Sequence, residues 1–362
     1  MNIIKTTGVS GKKDIHVYIY DAATMSRYNK DYGIMRGIMI KLTISGNEKE
    51  QRLDRFLKKY LKNASLGYIY KLIRKDVKIN GKRGNIETML SEGDEISLYI
   101  NDEELESLTK SKKHVKSKKQ FNIAYEDENI LIAEKPFGLL THGDSTEKKN
   151  HLANQVISYL IEKGDYVPRV ERTFVPSPVN RLDRNTTGLV LFGKNNKSLQ
   201  TLNKMIRERG YINKYYLTIV SGNLKNDLIL RDKMEKDERK NMVKVLPEDY
   251  EDGKMMETIA RPIKYSNGFT LVEVELVTGR THQIRAHLAR AGYPIIGDAK
   301  YGHSGVNRKI EADFELTTQF LHAYRLSFVG AEEPLEYLVG KSVIAELPQN
   351  LEMIKNSILG YE

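Results

Sequence analysis

The pattern of apolar and polar positions divides this chain into a patternless start, a small module of helices and strands, a charged run and a long strand-rich remainder. Residues 1–38 show little periodicity, whereas Met39-Ile-Lys-Leu-Thr-Ile-Ser alternates as a half-buried strand does. Residues 1–38 are therefore expected to be dispensable, or an upstream extension of a reading frame whose natural start is Met39. Leu53, Phe56, Leu57, Tyr60 and Leu61 fall on one helical stripe, leaving Arg52, Arg55, Lys58, Lys59 and Lys62 for the other faces. A second short helix is expected through Ile69, Leu72 and Ile73, with Lys71, Arg74 and Lys75 interspersed. Val77-Lys-Ile then enters an Asn80-Gly81 turn, and Glu92-Gly-Asp precedes a strand from Glu95 to Ile100. The module spans 39–105.

Beyond it the composition switches from Asp102-Glu-Glu-Leu-Glu to Lys110-Ser-Lys-Lys-His-Val-Lys-Ser-Lys-Lys. Such a run repels itself and has little to bury, so 101–120 reads as flexible, with 106–120 a basic linker. The domain from 121 to 362 opens with two short apolar strands around an acidic turn, the second stopped by Lys135-Pro136 and Gly138. A buried strand follows at Leu189 to Phe192, then a helix with Leu199, Leu202, Met205 and Ile206 inward, then a β-rich run from Lys214 to Gly222. Residues 223–262 are polar and weakly patterned, and are assigned only as connecting strands. From Phe269 the alternation is clean, with Val272, Val274 and Leu276 facing one way and Glu273 and Glu275 the other. A helix is expected from Thr278 to Gly292, with Ile284, Leu288 and Ala291 inward.

Charge narrows the partners. The formal net charge of +10 over 362 residues points to a polyanion, because lysine and arginine bind phosphate backbones regardless of sequence. A membrane surface is the rival polyanion. However, no apolar run approaches the roughly 20 residues that cross a bilayer, and Lys12, Lys13 and Asp14 interrupt any signal-peptide core. The expectation is no membrane association. The chain has no cysteine, which removes disulfides, thiol nucleophiles and cysteine-bound zinc and fits a cytoplasmic location. It has no tryptophan either, so stacking on bases falls to tyrosine, phenylalanine or arginine planes.

The candidate chemistry centres on Val179 to Lys194, where Asp183 lies between Arg181 and Arg184 and a turn-forming Asn-Thr-Thr-Gly leads into the buried strand. A carboxylate held at a strand mouth either caps a turn through backbone amides or does chemistry, and this stretch alone leaves both open. Its Asn180-Arg-Leu-Asp-Arg-Asn-Thr-Thr-Gly resembles the central motif of RluA/RluC-type RNA pseudouridine synthases, with Asn180 where His is usual and Thr187 where Ser is usual. The resemblance extends to Lys135-Pro-Phe-Gly, to Lys214-Tyr-Tyr, and to Thr278-Gly-Arg-Thr-His-Gln-Ile-Arg-Ala-His. Further on it includes Pro294-Ile-Ile-Gly-Asp, Tyr301-Gly and Leu321-His-Ala. Several separated motifs in the right order are far more specific than any one of them. The 39–105 module is similar to the small alpha-L RNA-binding domain found at the front of many such enzymes.

The resemblance implies an α+β fold, a mixed, largely antiparallel sheet in the catalytic domain with a small N-terminal alpha-L domain. It implies conversion of uridine to pseudouridine, most readily in 23S large-subunit ribosomal RNA, with transfer RNA possible, by a monomer that needs no cofactor. It makes Asp183 the catalytic carboxylate, Arg285 its ionic partner and Tyr216 the residue beneath the uracil. It makes Arg181 the side chain that fills the place of a flipped-out base, with Arg280 and His282 also on the RNA. In the small domain it points to Arg52, Arg55, Arg74, Lys75, Asn80 and Gly81 as the RNA face. Read without it, Tyr216 is a core tyrosine and each basic residue a solvated helix face.

His142, His282, His287, His303 and His322 invite a metal site, yet His282 and His287 are five apart and do not share a helical face as a zinc pair would. No metal is expected. A non-catalytic RNA-binding or ribosome-assembly factor explains the charge equally well, but it has no need of Asp183, Tyr216 and Arg285 together. A metal-dependent nuclease would want clustered acidic ligands, which the sequence does not supply.

Overall fold

A computed structural model describes residues 38–109, 117–168, 173–237 and 242–360. Residues 1–37, which hold nearly all of the expected N-terminal extension, and 110–116, the middle of the expected linker, lie outside the described residues. The chain divides into two compact units, 1–114 with 167–175, and 115–166 with 176–362.

In the first unit, strands β1 (Ile38–Thr43), β2 (Val77–Ile79), β3 (Lys82–Arg83) and β4 (Glu95–Ile100) form an antiparallel sheet in the order β1-β4-β2-β3. The helices Leu53–Tyr60 and Leu66–Asp76 bury Leu53, Phe56, Leu57, Ile69, Leu72 and Ile73, so both apolar stripes face the core as their spacing requires. Ser65 starts the second helix by accepting a hydrogen bond from Tyr68 N at 3.2 Å. Asn80 and Gly81 take φ of 49° and 77°, the left-handed pair that joins two strands through a two-residue turn. One expectation is corrected: Asp102–Thr109 is a helix, not flexible linker. Leu105 and Leu108 pack on the core and Glu104 accepts from the Tyr68 hydroxyl at 2.9 Å, anchorage that the acidic composition of the segment conceals.

The second unit carries the long sheet. Its strands are β5 (Asn122–Glu126), β6 (Ile130–Lys135), β7 (Ser177–Pro178), β8 (Thr187–Gly193), β9 (Ile212–Ser221), β10 (Leu228–Asp237) and β11 (Met242–Leu246). They are followed by β12 (Lys254–Ser266), β13 (Phe269–Leu276), β14 (Leu321–Phe328) and β15 (Ser342–Ile344). The order is β11-β10-β12-β13-β9-β14-β8-β6-β5, with β15 on β14 and β7 on β8. Among the described pairings only β8 with β14 is parallel, so the unit is α+β with a mixed, mostly antiparallel sheet. The weakly patterned 223–262 proves to be three of these strands, β10 to β12. Their outward residues mix charge with exposed Ile229 and Ile263, which blurs the alternation.

Strand β8 is buried along its whole length and sits mid-sheet, and this fixes where its N-terminal end points. At Gly188, φ is +110° and a Cβ would lie 2.2 Å from Ala323 O, so only glycine lets β8 approach β14 this closely. The helix Gln283–Arg290 buries Ile284 and Leu288 as expected, but it begins five residues later than Thr278. Thr278 Oγ1 donates to Gln283 Oε1 at 2.7 Å, Arg280 N donates to the same oxygen at 3.0 Å, and His282 adopts φ 51°, ψ 19°. The segment Gly279–His282 is therefore a tight non-helical loop tied down by Gln283. No helix among the described residues is long and apolar enough to cross a membrane.

Candidate active site

A pocket in the second unit is lined by Arg181, Leu182, Asp183, Thr186, Tyr216, Leu276, Arg280, His282, Gln283, Ile284, Arg285 and Leu321. It is built by the turn before β8, the middle of β9, the end of β13 with the loop and helix that follow, and the start of β14. The turn is fixed first. Thr186 N donates to Asp183 O at 3.1 Å, and Thr141 Oγ1 both accepts from Leu182 N and donates to Leu182 O, at 3.1 and 3.0 Å. Lys135, only 1% exposed, directs its ammonium at three carbonyl oxygens: Pro136 at 3.0 Å, Leu139 at 2.7 Å and Arg184 at 2.8 Å. Burial pushes this lysine down to about 7, against the pull of Asp183. The Lys-Pro turn after β6 is in this way stapled to the turn that carries Asp183.

Arg285 reaches the same point from the helix after β13. Its Nη1 donates to Asp183 Oδ2 at 2.9 Å, while Nε and Nη2 donate to Asp298 at 2.7 and 2.9 Å. Arg285 and Asp298 are buried, whereas the Asp183 side chain is 28% exposed and opens on the pocket. Burial would lower the charge of Arg285, but the two carboxylates outweigh it and push its pKa well above the ordinary value. Asp298 is held below the usual carboxylate range: burial pulls it up, and Arg285 with the Lys300 and Tyr301 amides more than reverses that. Among the described residues, Oδ1 of Asp183 has no hydrogen-bond partner.

Tyr216 comes from β9 and is 5% exposed; burial, with Asp183 adding to it, pushes its phenol far up, so it stays protonated. His282 places Nε2 at 3.8 Å from Asp183 Oδ2 and Nδ1 at 3.1 Å from the Tyr301 hydroxyl, which also accepts from Val243 N at 2.7 Å. Burial lowers the imidazole, helped by the charges of Arg285 and Lys300, and this overrides Asp183, so the ring is neutral at pH 7. Arg181 and Arg280 are exposed at the pocket edge. Among the described residues Arg181 has no ion pair or hydrogen bond, and Arg280 makes only a 3.3 Å contact from Nε to Met255 O besides its backbone bonds. The residues expected at one site from three separated motifs thus share one pocket.

The remaining expected RNA-binding residues belong to the first unit. Arg55, Arg74, Lys75, Asn80 and Gly81 are exposed, while Arg52 is half-buried, with its charge answered by Asp54 at 3.1 Å and Glu87 at 3.4 Å. The described residues contain no group of three or more His, Asp and Glu placed to hold a metal ion. His287 and His322 are buried and bonded to Thr258 and Thr187. Three contributors had no role assigned from sequence: Asp298, Lys135 and Thr141. The signal available for the first two was their place inside recognised patterns, Gly297-Asp298 and Lys135-Pro136; Thr141 gave none.

A model of the RNA pseudouridylate synthase family matches residues 129–290. An RNA pseudouridine synthase of Mycoplasma capricolum is 32% identical over 310 residues, 84% of this chain and 97% of that protein. Ribosomal large subunit pseudouridine synthase C of Vibrio vulnificus is 32% identical over 318 residues, 85% of this chain and 93% of that protein. Its namesake in Escherichia coli K12 is 34% identical over 298 residues, 79% of this chain and 88% of that protein.

Proposed function

The chain belongs to the RNA pseudouridylate synthase family, and from that premise we propose that it isomerises uridines of large-subunit ribosomal RNA to pseudouridine, with Asp183 as the reacting carboxylate. Two relatives named for the large ribosomal subunit, each matched over most of its length, support that choice of RNA over transfer RNA.

The reaction breaks the bond from C1′ to N1, turns the uracil and joins C1′ to C5; the hydrogen lost from C5 is balanced by the one gained at N1. Product and substrate are isomers, so no redox partner or transferred group enters. What the protein must supply is an ionised carboxylate at the sugar, a surface for the loosened ring and a route for one proton. The observation that carries the reading is the one-point contact of Arg285 with Asp183 at Oδ2, in a pocket that Asp183 itself lines, which leaves Oδ1 without a partner among the described residues. Whether Oδ1 attacks C1′ or draws a proton from the ribose, it is the oxygen available to do so.

Tyr216 gives the uracil a flat floor, and its protonated phenol is suited to stacking and to donating rather than to serving as a ready phenolate. A uridine in folded RNA reaches Asp183 only when flipped out, at about a few kcal/mol. Unpaired Arg181 at the rim is placed to fill the gap, and Arg280 to meet a phosphate. Neutral His282 adds a polar contact without competing with Arg285 for the carboxylate. Residues 39–105 act as an alpha-L-type RNA-docking domain through Arg55, Arg74, Lys75 and the Asn80-Gly81 turn, with the basic run from Lys110 to Lys119 as a tether. A binding-only factor would have no use for a buried arginine shared between two carboxylates.

The test is Asp183→Asn. RNA affinity is expected to stay within about twofold, because the phosphate-binding charges are untouched, while pseudouridine in large-subunit RNA disappears. Turnover in this variant would remove the role assigned to Asp183. Mapping pseudouridine in total RNA from cells with and without the gene identifies the target; a change confined to transfer RNA would overturn the ribosomal assignment.

A further inference from the structure

Single exposed apolar side chains are ordinary on a protein surface and call for no function by themselves. Phe137 differs in its place. Of the nine phenylalanines it alone is exposed, at 54%, whereas Phe56, Phe192, Phe320 and Phe328 are fully buried. It occupies the turn after β6 between Pro136, whose ring restricts the backbone, and Gly138, whose φ is +76°. A Cβ at Gly138 would meet nothing within 4 Å, so the turn is open on that side. The Lys135 ammonium donates to the carbonyls of Pro136 and Leu139, on either side of the Phe137-Gly138 pair, and to that of Arg184, the residue after Asp183. Thr141 ties the chain that follows to Leu182, the residue before Asp183. A rigid turn thus presents an aromatic ring beside the segment that carries the carboxylate. Cations stand on that same segment: Arg181 is exposed at the pocket edge, and Arg184 is 48% exposed. Arg184 pairs with Asp144 at 3.5 Å, a solvent-exposed contact that costs little to exchange for a phosphate.

We propose that the Phe137 ring is a stacking platform for an unpaired base adjoining the target uridine, and that it makes the enzyme prefer uridines whose flanking nucleotide is single-stranded. An apolar plane next to cations suits a nucleobase whose own phosphates meet those cations, and a chain without tryptophan has few flat rings to offer. Every base has a π-face, so the platform selects for an unpaired neighbour and not for its identity. Because the turn is already fixed by Lys135, the ring pays little to be ordered when RNA arrives. This inference rests on the reading that the uridine enters at Asp183.

The experiment uses a synthetic RNA stem-loop containing the uridine found by mapping, and copies of it in which each neighbouring nucleotide in turn is abasic. Phe137→Ala is expected to weaken affinity about 10-fold, the scale of one lost base–aromatic stack, and to leave the single-turnover rate of the bound RNA within about twofold. One abasic position should weaken binding to the unaltered protein by a similar factor and should weaken Phe137→Ala no further, because the two changes remove the same contact. Phe137→Leu keeps apolar bulk without a flat ring and should bind like Phe137→Ala. A loss below about threefold in Phe137→Ala, independent effects at every abasic position, or full affinity in Phe137→Leu overturns the proposal. Phe137→Trp places a single indole in a chain that has none, and serves equally if Phe137→Ala does not fold. Its emission should be quenched by the intact stem-loop and not by the copy abasic at the coupled position; no quenching, or equal quenching by both, overturns the stacking role. Binding is read without turnover, so the two readings separate. Turnover in Asp183→Asn removes the catalytic reading, whereas an inactive Asp183→Asn beside normal affinity in Phe137→Ala removes the stacking role alone.

Discussion

Replacing Arg285 by methionine keeps most of the side-chain volume and removes one charge, which leaves two carboxylates facing each other without a cation. In the structure the arginine approaches Asp183 to 2.9 Å and Asp298 to 2.7 Å. A pair at such a distance attracts by about 6 kcal/mol at an effective dielectric near 20, before the cost of taking the ions out of water is subtracted. Breaking a buried pair from one side typically costs about 3–5 kcal/mol, and the fully buried side chain of Asp298 places this case there. For a unit of roughly 150–250 residues that lowers the melting temperature by about 6–20 °C. The pH dependence makes the prediction sharper. With Arg285 present, the folded Asp298 lies below its ordinary 3.8, so its contribution is complete above that value and is lost only as pH falls through the lower folded value. Without the arginine, burial pushes the same carboxyl above 3.8, and the variant is relieved as that group protonates. The stability gap between the two proteins, measured by urea unfolding at steps from pH 7 to 4, should therefore narrow in acid. A loss below about 1 kcal/mol at pH 7, or a gap that is constant or widens toward pH 4, refutes the assignment of Arg285 as the shared cation.

Arg280→Ala should weaken RNA binding across sequences and reduce the salt slope of the affinity by about 1, as for one lost phosphate contact; an unchanged slope would take Arg280 off the phosphate backbone. Deleting residues 39–105 should weaken binding strongly and flatten its salt dependence while sparing turnover on a short minimal RNA, and full affinity in the deletion would deny that unit a docking role. His287 is buried and pushed down to about 4, first by burial and then by Arg290. Its folded value lies below the unfolded 6.5, so the unfolded chain takes up the proton first and stability falls between about pH 6.5 and 4. His287→Gln should remove up to about 3 kcal/mol of that acid sensitivity, and an unchanged pH–stability curve would contradict it. Gly188→Ala, whose Cβ would meet Ala323 O at 2.2 Å, should cost about 2–6 kcal/mol through crowding and backbone strain; a neutral effect in thermal melts would show that β8 can move away from β14.

How far the sequence revealed the fold depended on what each segment buries. The stripe from Leu53 to Leu61 and the run from Leu189 to Phe192 were readable because one whole face, or the whole strand, is inside. Strands β10 to β12 were not assigned one by one, since their outer faces hold Ile229 and Ile263 beside charged residues, and the alternation there carries little contrast. Asp102–Thr109 was misread for the opposite reason: its charge count suggested solvent, while two leucines and Glu104 are enough to hold the helix in place.

The site shows where periodicity misleads and where chemistry compensates. Spacing alone extended a helix back to Thr278, which would have put Arg280 and His282 on a regular surface. Instead the Gln283 side chain, bonded to Thr278 and to the Arg280 amide, ends the helix and turns that segment into a loop bordering Asp183. His282 accordingly holds a left-handed conformation that costs a non-glycine residue energy and is maintained by the surrounding bonds. Arg285 is the first inward-facing arginine after the loop, and its partner Asp183 lies 102 positions earlier in the chain, a pairing no local pattern could reveal. Motif resemblance supplied that pair and marked Asp298 only as the end of Pro294-Ile-Ile-Gly-Asp, with no role attached to it. That Asp298 takes the Nε and Nη2 edge of the Arg285 guanidinium while Asp183 meets Nη1 is visible only in the three-dimensional arrangement of donors.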